Sequence, residues 1–164
     1  MMKRNTEQDF AGIEKIKEKQ AWQLAQFEEW AARQDWQRFH ETHYDWWMFP
    51  VDQPSSYGFT WVVYDYEVNE LKKDPVYVKN YLRGVELLLL AWGWDLYNEQ
   101  LVENPAADQH WSNWPIRLYK CGSSLRLFGF TREFESVKKY AQYLMRQGHS
   151  FAYNNRDLRT IFLD

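Results

Sequence analysis

Two histidines stand one helical turn apart in the segment HETH, where His40 and His43 flank Glu41. Side chains three positions apart on a helix are neighbours, so this pair has the spacing of two metal ligands. A structural or catalytic zinc site needs three or four protein ligands. The remaining histidines, His110 and His149, fall in predicted loops. We therefore predict no metal site, and we interpret His43 as a hydrogen-bond donor at a helix end.

Nucleophilic chemistry is the next possibility, because Cys121 could pair with one of the histidines. The sequence contains no G-x-S-x-G motif, no cysteine signature with a partnered histidine and no phosphate-binding loop. Gly-Ser-Ser at 122–124 is too short to bind a phosphate, and it falls in a helix-like stretch. The sequence thus predicts a protein that is not an enzyme and that needs no cofactor.

A basic face is the third chemical feature. Arg117, Lys120 and Arg126 recur along one predicted helix, and Trp111 and Trp114 precede it. Cations interleaved with aromatic rings can bind single-stranded nucleic acid through charge and stacking. The formal net charge of -3 gives no overall attraction to phosphates and disfavours nucleic acid as a partner. Nucleic-acid or nucleotide binding by this face remains the alternative function.

The aromatic content is the most unusual property of the chain. Ten Trp, eleven Tyr and ten Phe make up 19% of the residues. Tryptophan is seldom fully buried, and Trp and Tyr are enriched at the centres of protein interfaces. The leading hypothesis is a helical module that binds a partner protein through an aromatic-rich surface. Its candidate contacts are Trp47, Trp61, Trp111 and Trp114, with Arg117 and Lys120 beside them.

Length and composition limit the remaining classes. A chain of 164 residues is long enough for one domain with a core, so we predict a single domain over 1–164. Cys121 is the only cysteine, which excludes an internal disulfide. The longest apolar run, from Val85 to Trp94, is too short for the roughly 20 residues of a membrane span. We expect a soluble, cytoplasmic protein that is not inserted in a membrane.

Hydrophobic spacing predicts a mainly α-helical bundle. The predicted helices are 6–40, 65–73, 75–92, 115–130 and 131–147. Asp74 before Pro75 is a helix-start signal, and Gly93 is a candidate left-handed end of that helix. Gly122 and Gly129 are expected to break or end the next helix.

The segments outside these helices are predicted to be irregular. Residues 97–115 form a long connection punctuated by two prolines. The first residues are mostly polar, so the end at 1–20 is expected to fray or project. The C-terminal tail is expected to be irregular, with TIFL as a short strand or a strap over the core.

The segment HYDWWMFP at 43–50 is interpreted as a structural corner under the 75–92 helix. Its buried members are predicted to be Tyr44, Phe49 and one of Trp46 or Trp47, and Pro50 ends the turn. Successive helical residues point in different directions, so the two tryptophans cannot be equally buried. The outward tryptophan is a candidate partner contact.

An ion pair is predicted on the central helix. Arg83 and Glu86 are three residues apart and can pair along that helix. Because the helix is otherwise so apolar, the alternative is that this pair is partly buried and binds a neighbour.

Three ordered blocks resemble a known family. The first is His43-Tyr44 with Trp46, Phe49 and Pro50. The second is LRGVELLLLAWGWDL at 82–96, with Arg83, Glu86 and Gly93, and the third is IRLYKCGSSLRLFGF at 116–130, with Arg117 and Lys120. Across residues 43–146 the chain resembles the conserved helical region of the opioid growth factor receptor family. The resemblance implies the helical scaffold. It does not imply a peptide-receptor role, because it covers only that scaffold and the long proline-rich extension of that receptor has no counterpart here.

Overall fold

The computed structural model describes residues 1–163, and within them the chain is mainly α-helical, which confirms the predicted class. Asp164, the last residue of the predicted domain, lies outside the described residues. The helices within 1–163 are α1 (Ile13–Ala32), α2 (Gln37–Glu41), α3 (Asp45–Met48), α4 (Asp65–Lys72), α5 (Pro75–Ala91), α6 (Pro115–Phe128) and α7 (Thr131–Arg146). Two short antiparallel hairpins are β1–β2 (Trp94–Asp95 with Gln100–Leu101) and β3–β4 (Ala152–Tyr153 with Arg156–Asp157). A 3-10 helix, Thr160–Phe162, is the last regular element within residues 1–163.

Helix α5 lies at the centre of the core. The Asp74 carboxylate accepts the N–H of Val76 at 3.0 Å, which satisfies a free donor at the start of the helix, as predicted. Helix α1 packs along α5, and α6 packs along α7. Val85 and Leu88 of α5 are completely buried within one continuous apolar cluster. Even so, none of the helices in residues 1–163 has the length and apolar character needed to cross a membrane.

The predicted continuous helix over 6–40 is wrong, because the chain turns after α1. Gln34 adopts a left-handed φ of 55°, and the Asp35 N–H bonds back to the Trp30 carbonyl at 2.8 Å. This pattern is a helix C-cap usually made by glycine. Because a glutamine occupies that position, the sequence shows no sign of a helix end. The prediction, which relied on hydrophobic spacing, therefore extended the helix through the turn.

The expectation that 1–20 frays or projects is also wrong for its first residues. The Asn5 side chain donates to the carbonyls of Phe59 at 3.0 Å and Val62 at 2.9 Å. The Asn5 N–H donates to the buried Glu67 carboxylate at 3.1 Å. Polar residues thus attach this end to the body through hydrogen bonds, which a hydrophobic pattern does not reveal.

Glycines mark one real helix end and one close contact. Gly129 ends α6 in a left-handed conformation, as predicted. Gly122 lies inside α6, so the predicted break there is wrong. A Cβ at Gly122 would come within 2.6 Å of the Phe162 ring, which is completely buried. The last residues therefore form a strap over the core, and the alternative of a strand at TIFL is wrong.

The connections hold more structure than predicted. The connection at 97–115 begins with strand β2, which pairs with β1 through Leu101 and Trp94. Gly93, just before that hairpin, has a φ of 83°, as expected for a left-handed residue after α5. The tail, expected to be irregular, contains the β3–β4 hairpin.

Candidate functional site

The corner at 43–50 packs against α5, as the sequence predicts. Tyr44, Met48 and Phe49 are completely buried. The Phe49 ring meets that of Tyr81 on α5 edge to face, with centroids 6.4 Å apart. Helix α3 ends at Met48 because the residue before a proline disfavours helical geometry, and Phe49 has a φ of -131°.

Arg117 is part of this corner and is not a surface cation. Only 2% of it is exposed. Its Nη1 donates to the Phe39 carbonyl and to the Tyr44 hydroxyl at 3.3 Å, and its Nη2 donates to the Thr42 carbonyl at 2.6 Å. The guanidinium thus joins α6 to the end of α2 and to the corner, which corrects the prediction of a binding face.

Lys120, one turn further along α6, is also engaged. Its ammonium lies 3.0 Å from the Asp45 carboxylate, with the two side chains 13% and 6% exposed. The same ammonium lies 4.8 Å from the centre of the Trp46 ring. Arg126 is exposed elsewhere on α6. The predicted continuous basic face from Arg117 to Arg126 therefore does not form.

A groove of about 420 Å³ opens where the corner meets the start of α6 and the β3–β4 hairpin. We call it the corner groove. Its lining includes His43, Trp46, Trp114, Lys120, Tyr153 and Arg156, with Arg117 also contributing.

Partly buried aromatic rings form the walls of the corner groove. The exposed His43 ring lies 6.1 Å from the Trp46 ring and 6.4 Å from the Trp114 ring, between centroids. The Trp46 ring meets Tyr57 edge to face at 4.7 Å. The Arg117 guanidinium lies 4.9 Å from the centre of the Trp114 ring. These contacts give both tryptophans a supporting surface while leaving part of each ring open.

The two adjacent tryptophans have exchanged their expected roles. Trp47 is the buried one, 9% exposed, and its indole N–H donates to Gln23 on α1 at 3.1 Å. The Trp61 ring, half-buried, packs on Trp47 at 5.4 Å. The unequal burial is as predicted, but the choice of Trp47 as the outward contact is wrong. Trp46 is the outward residue.

Trp111 lies away from the corner groove. It lines a second cleft, of about 590 Å³, together with Trp92, Leu101, His110, Tyr140 and His149. We call this the Trp111 cleft. The Trp111 ring meets Trp92 at 5.0 Å and stacks on Phe151 at 6.3 Å. The structure therefore separates Trp111 from Trp114, which the sequence analysis grouped as contacts of one surface.

The hairpin side of the corner groove was missed by sequence reasoning. Asn154 and Asn155 both have positive φ, 48° and 63°, as a type I′ turn requires. This turn places Tyr153 opposite Arg156 in the strand register. Paired asparagines favour such turns, so the segment YNNR carried a usable hairpin signal.

The predicted Arg83–Glu86 pair forms, and it has a third member. The Arg83 Nη1 donates to Glu86 at 2.8 Å. Its Nε and Nη2 donate to both carboxylate oxygens of Glu28 on α1, at 2.8 and 2.9 Å. The bound neighbour is α1 of the same chain, so this pair connects two helices.

The histidines and the cysteine show no convergent site. The buried His40 bonds the Asp108 carbonyl at 3.3 Å, and burial lowers its pKa. Burial raises the pKa of the Cys121 thiol. Across residues 1–163, no three or more His, Cys, Asp or Glu side chains are grouped so as to hold a metal ion. The expected absence of a metal stays a prediction.

Comparisons with known proteins add no relative. No protein-family model, curated protein or solved structure matches this chain. Function is therefore inferred from the chemistry of the corner groove. Among the predicted site residues, the groove brings together His43, Trp46, Trp114, Arg117 and Lys120.

Proposed function

We propose that this protein is a non-enzymatic helical module that binds a segment of a partner protein in the corner groove. One observation carries the proposal: the partly buried indoles of Trp46 and Trp114 line the same groove and contact the same ring, that of His43. The residues that dominate binding energy at protein interfaces are enriched in tryptophan, tyrosine and arginine.

The groove walls are held in place before a partner arrives. Trp46 lies on α3 between Asp45 and Trp47, which are both buried and bonded to other helices. Trp114 directly precedes α6 and packs on the Arg117 guanidinium. Rings that are already positioned lose little conformational freedom on binding, so more of their contact energy contributes to affinity.

The side chains suited to other functions are already engaged. Burial keeps Cys121 a neutral thiol, which is a poor nucleophile. Arg117 and Lys120 are bound within the chain, so they are not free to neutralise the phosphates of a nucleic acid. A protein partner is favoured over the nucleic-acid alternative for this reason.

Two broader proposals accompany this one. We propose that 43–146 shares the helical scaffold of the opioid growth factor receptor family, since the three resembling blocks supply the corner, α5 and α6, which pack together. An experimental structure of a family member, superposed on this chain, tests the scaffold. We also propose a cytoplasmic location, since a free thiol such as Cys121 stays reduced there. Imaging of the tagged protein in its host tests the location.

Selection from an unbiased displayed peptide library tests the proposed function. We expect enriched peptides whose affinity falls about thirtyfold in Trp46→Ala and in Trp114→Ala, since interface anchors contribute about 2 kcal/mol or more. Trp22→Ala is the matched control, because Trp22 is 51% exposed and lies outside the groove. Thermal unfolding of each variant confirms that it is folded.

Two outcomes would overturn the proposal. One is a library that yields no enriched peptide, or peptides that bind equally well without Trp46 and Trp114. The other is binding of single-stranded RNA or DNA that is lost steeply at raised salt and is insensitive to both tryptophans, as expected for phosphate recognition.

A further inference from the structure

The corner groove differs in charge from the molecule as a whole. The chain has a formal net charge of -3. Within residues 1–163, the groove is lined by three cationic side chains, Arg117, Lys120 and Arg156, and by one carboxylate, Asp45. An acidic protein thus presents a locally positive groove.

The three cations differ in how their charge is balanced. Lys120 is neutralised by its ion pair with Asp45. The hydrogen bonds of Arg117 go to two carbonyls and a hydroxyl, which carry no net charge. A charge in a buried position is screened less by salt than one at the surface, so the field of Arg117 reaches into the groove.

Arg156 supplies the accessible cation. It is exposed on the hairpin, and its Nη2 donates to the Tyr119 hydroxyl at 3.2 Å. Its guanidinium also lies 5.2 Å from the centre of the Tyr119 ring. Both contacts are neutral, so the guanidinium keeps its charge and has further N–H groups for a carboxylate.

We infer that the segment bound in the corner groove is acidic: a carboxylate side chain binds Arg156, next to an aromatic side chain that packs on Trp46 and Trp114. This inference rests on the proposed function. The groove is better suited to bind a peptide carboxylate than a nucleic-acid backbone, because binding along a backbone needs a row of free cations to neutralise successive phosphates. Here Lys120 is paired and Arg117 is buried.

Matched peptide libraries test the inference. Each library carries a fixed Trp with Asp, Asn or Lys at a fixed neighbouring position, and the other positions are random. We expect the Asp library to bind about fivefold or more tightly than the Asn library, and the Lys library most weakly. Arg156→Gln should reduce the affinity for the Asp library to the affinity measured for the Asn library. Arg146 is an exposed cation at the end of α7, outside the groove, so Arg146→Gln should leave the affinity for all three libraries unchanged.

The outcomes separate this inference from the proposed function. Equal binding of the Asp and Asn libraries, still lost in Trp46→Ala, overturns the acidic segment and leaves the peptide-binding function standing. Failure of all three libraries overturns both. A single-stranded oligonucleotide that binds through Arg156 and ignores Trp46 would also overturn both, in favour of nucleic acid.

Discussion

The corner groove and the Trp111 cleft are two aromatic clefts with different chemistry. Their volumes are about 420 and 590 Å³. Each contains a tryptophan, Trp46 or Trp111, whose indole N–H is buried and, within residues 1–163, has no hydrogen-bond partner. Among the described residues, the lining of the Trp111 cleft includes no Lys, Arg, Asp or Glu, and it contains two histidines, His110 and His149. The corner groove has three cations and a carboxylate.

The comparison shows that aromatic content does not by itself define a binding surface. The ring of Trp111 is in contact with Trp92, Tyr140 and Phe151 of its own chain. The Trp46 ring has contacts of the same kind, with His43, Trp47 and Tyr57, but it also lies 4.8 Å from the Lys120 ammonium, and the Trp114 ring lies 4.9 Å from the Arg117 guanidinium. What separates the two clefts is the charge beside the rings.

The largest expected effect is on the corner that supports the groove. Phe49→Ala should lower the free energy of unfolding by about 3–5 kcal/mol, because a large, completely buried ring is replaced by a cavity. Denaturant unfolding measures it. Val76→Ala, at a position 65% exposed, should change stability by less than about 0.5 kcal/mol. A loss below about 1 kcal/mol for Phe49→Ala would contradict a rigid corner.

The second effect concerns the cation beneath the groove. Arg117→Leu should destabilise the protein by about 1–3 kcal/mol, the cost of leaving a partly buried polar group without its partner. The Thr42 carbonyl loses its guanidinium donor, whereas the Phe39 carbonyl keeps a second donor, the Tyr44 hydroxyl at 2.7 Å. Arg126→Leu on the same helix, at an exposed position, is the control and should be nearly neutral. Equal effects of the two changes would show that Arg117 does not hold the corner.

The third effect compares the two clefts directly. Trp114→Ala should weaken a peptide selected on the wild-type protein by about 2 kcal/mol, or thirtyfold. Trp111→Ala should leave that affinity unchanged, although it lowers stability by removing stacked rings. Titration of one labelled peptide against both variants, below their unfolding temperatures, measures this. Loss of binding in Trp111→Ala alone would move the site to the other cleft.

The smallest effect is a pH dependence at His40, which contacts the Asp108 carbonyl and lies 6.0 Å from the His110 ring of the Trp111 cleft, between centroids. Burial lowers the pKa of His40 below its ordinary value of 6.5. Below pH 6.5 the unfolded chain therefore binds more protons than the folded one, so stability falls as the pH decreases through the folded pKa. The stability of the His40→Gln variant should change less between pH 7 and 5 than that of the wild-type protein. Denaturant unfolding at each pH measures this difference. Parallel curves for the two proteins would exclude His40 as the cause.

Local signals in the sequence account for much of the fold. Helix α5 begins at Pro75 after the Asp74 cap, and α6 ends at Gly129, as predicted. These features depend on residues near one another in the chain, because helix capping and backbone conformational preference act between neighbouring residues.

The candidate site was only partly predictable. Periodicity correctly required unequal burial of Trp46 and Trp47, but it could not say which one is buried. That choice depends on Gln23, which bonds the Trp47 indole from another helix. Arg156 was missed because its place in the groove depends on a hairpin more than a hundred residues after the corner.

The sequence by itself determined the mainly α-helical class, several helix ends and the apolar faces, because hydrophobic periodicity and capping are local properties of the backbone and its nearest side chains. Only the tertiary structure decided which of the charged side chains are buried and which are paired. The sequence placed Arg117 and Lys120 one turn apart on a helix, where an exposed basic face and a buried anchor look the same. The folded chain brings the Phe39 and Thr42 carbonyls to Arg117 and the Asp45 carboxylate to Lys120. A cation can be buried only where such partners replace its water, and these partners come from distant parts of the chain.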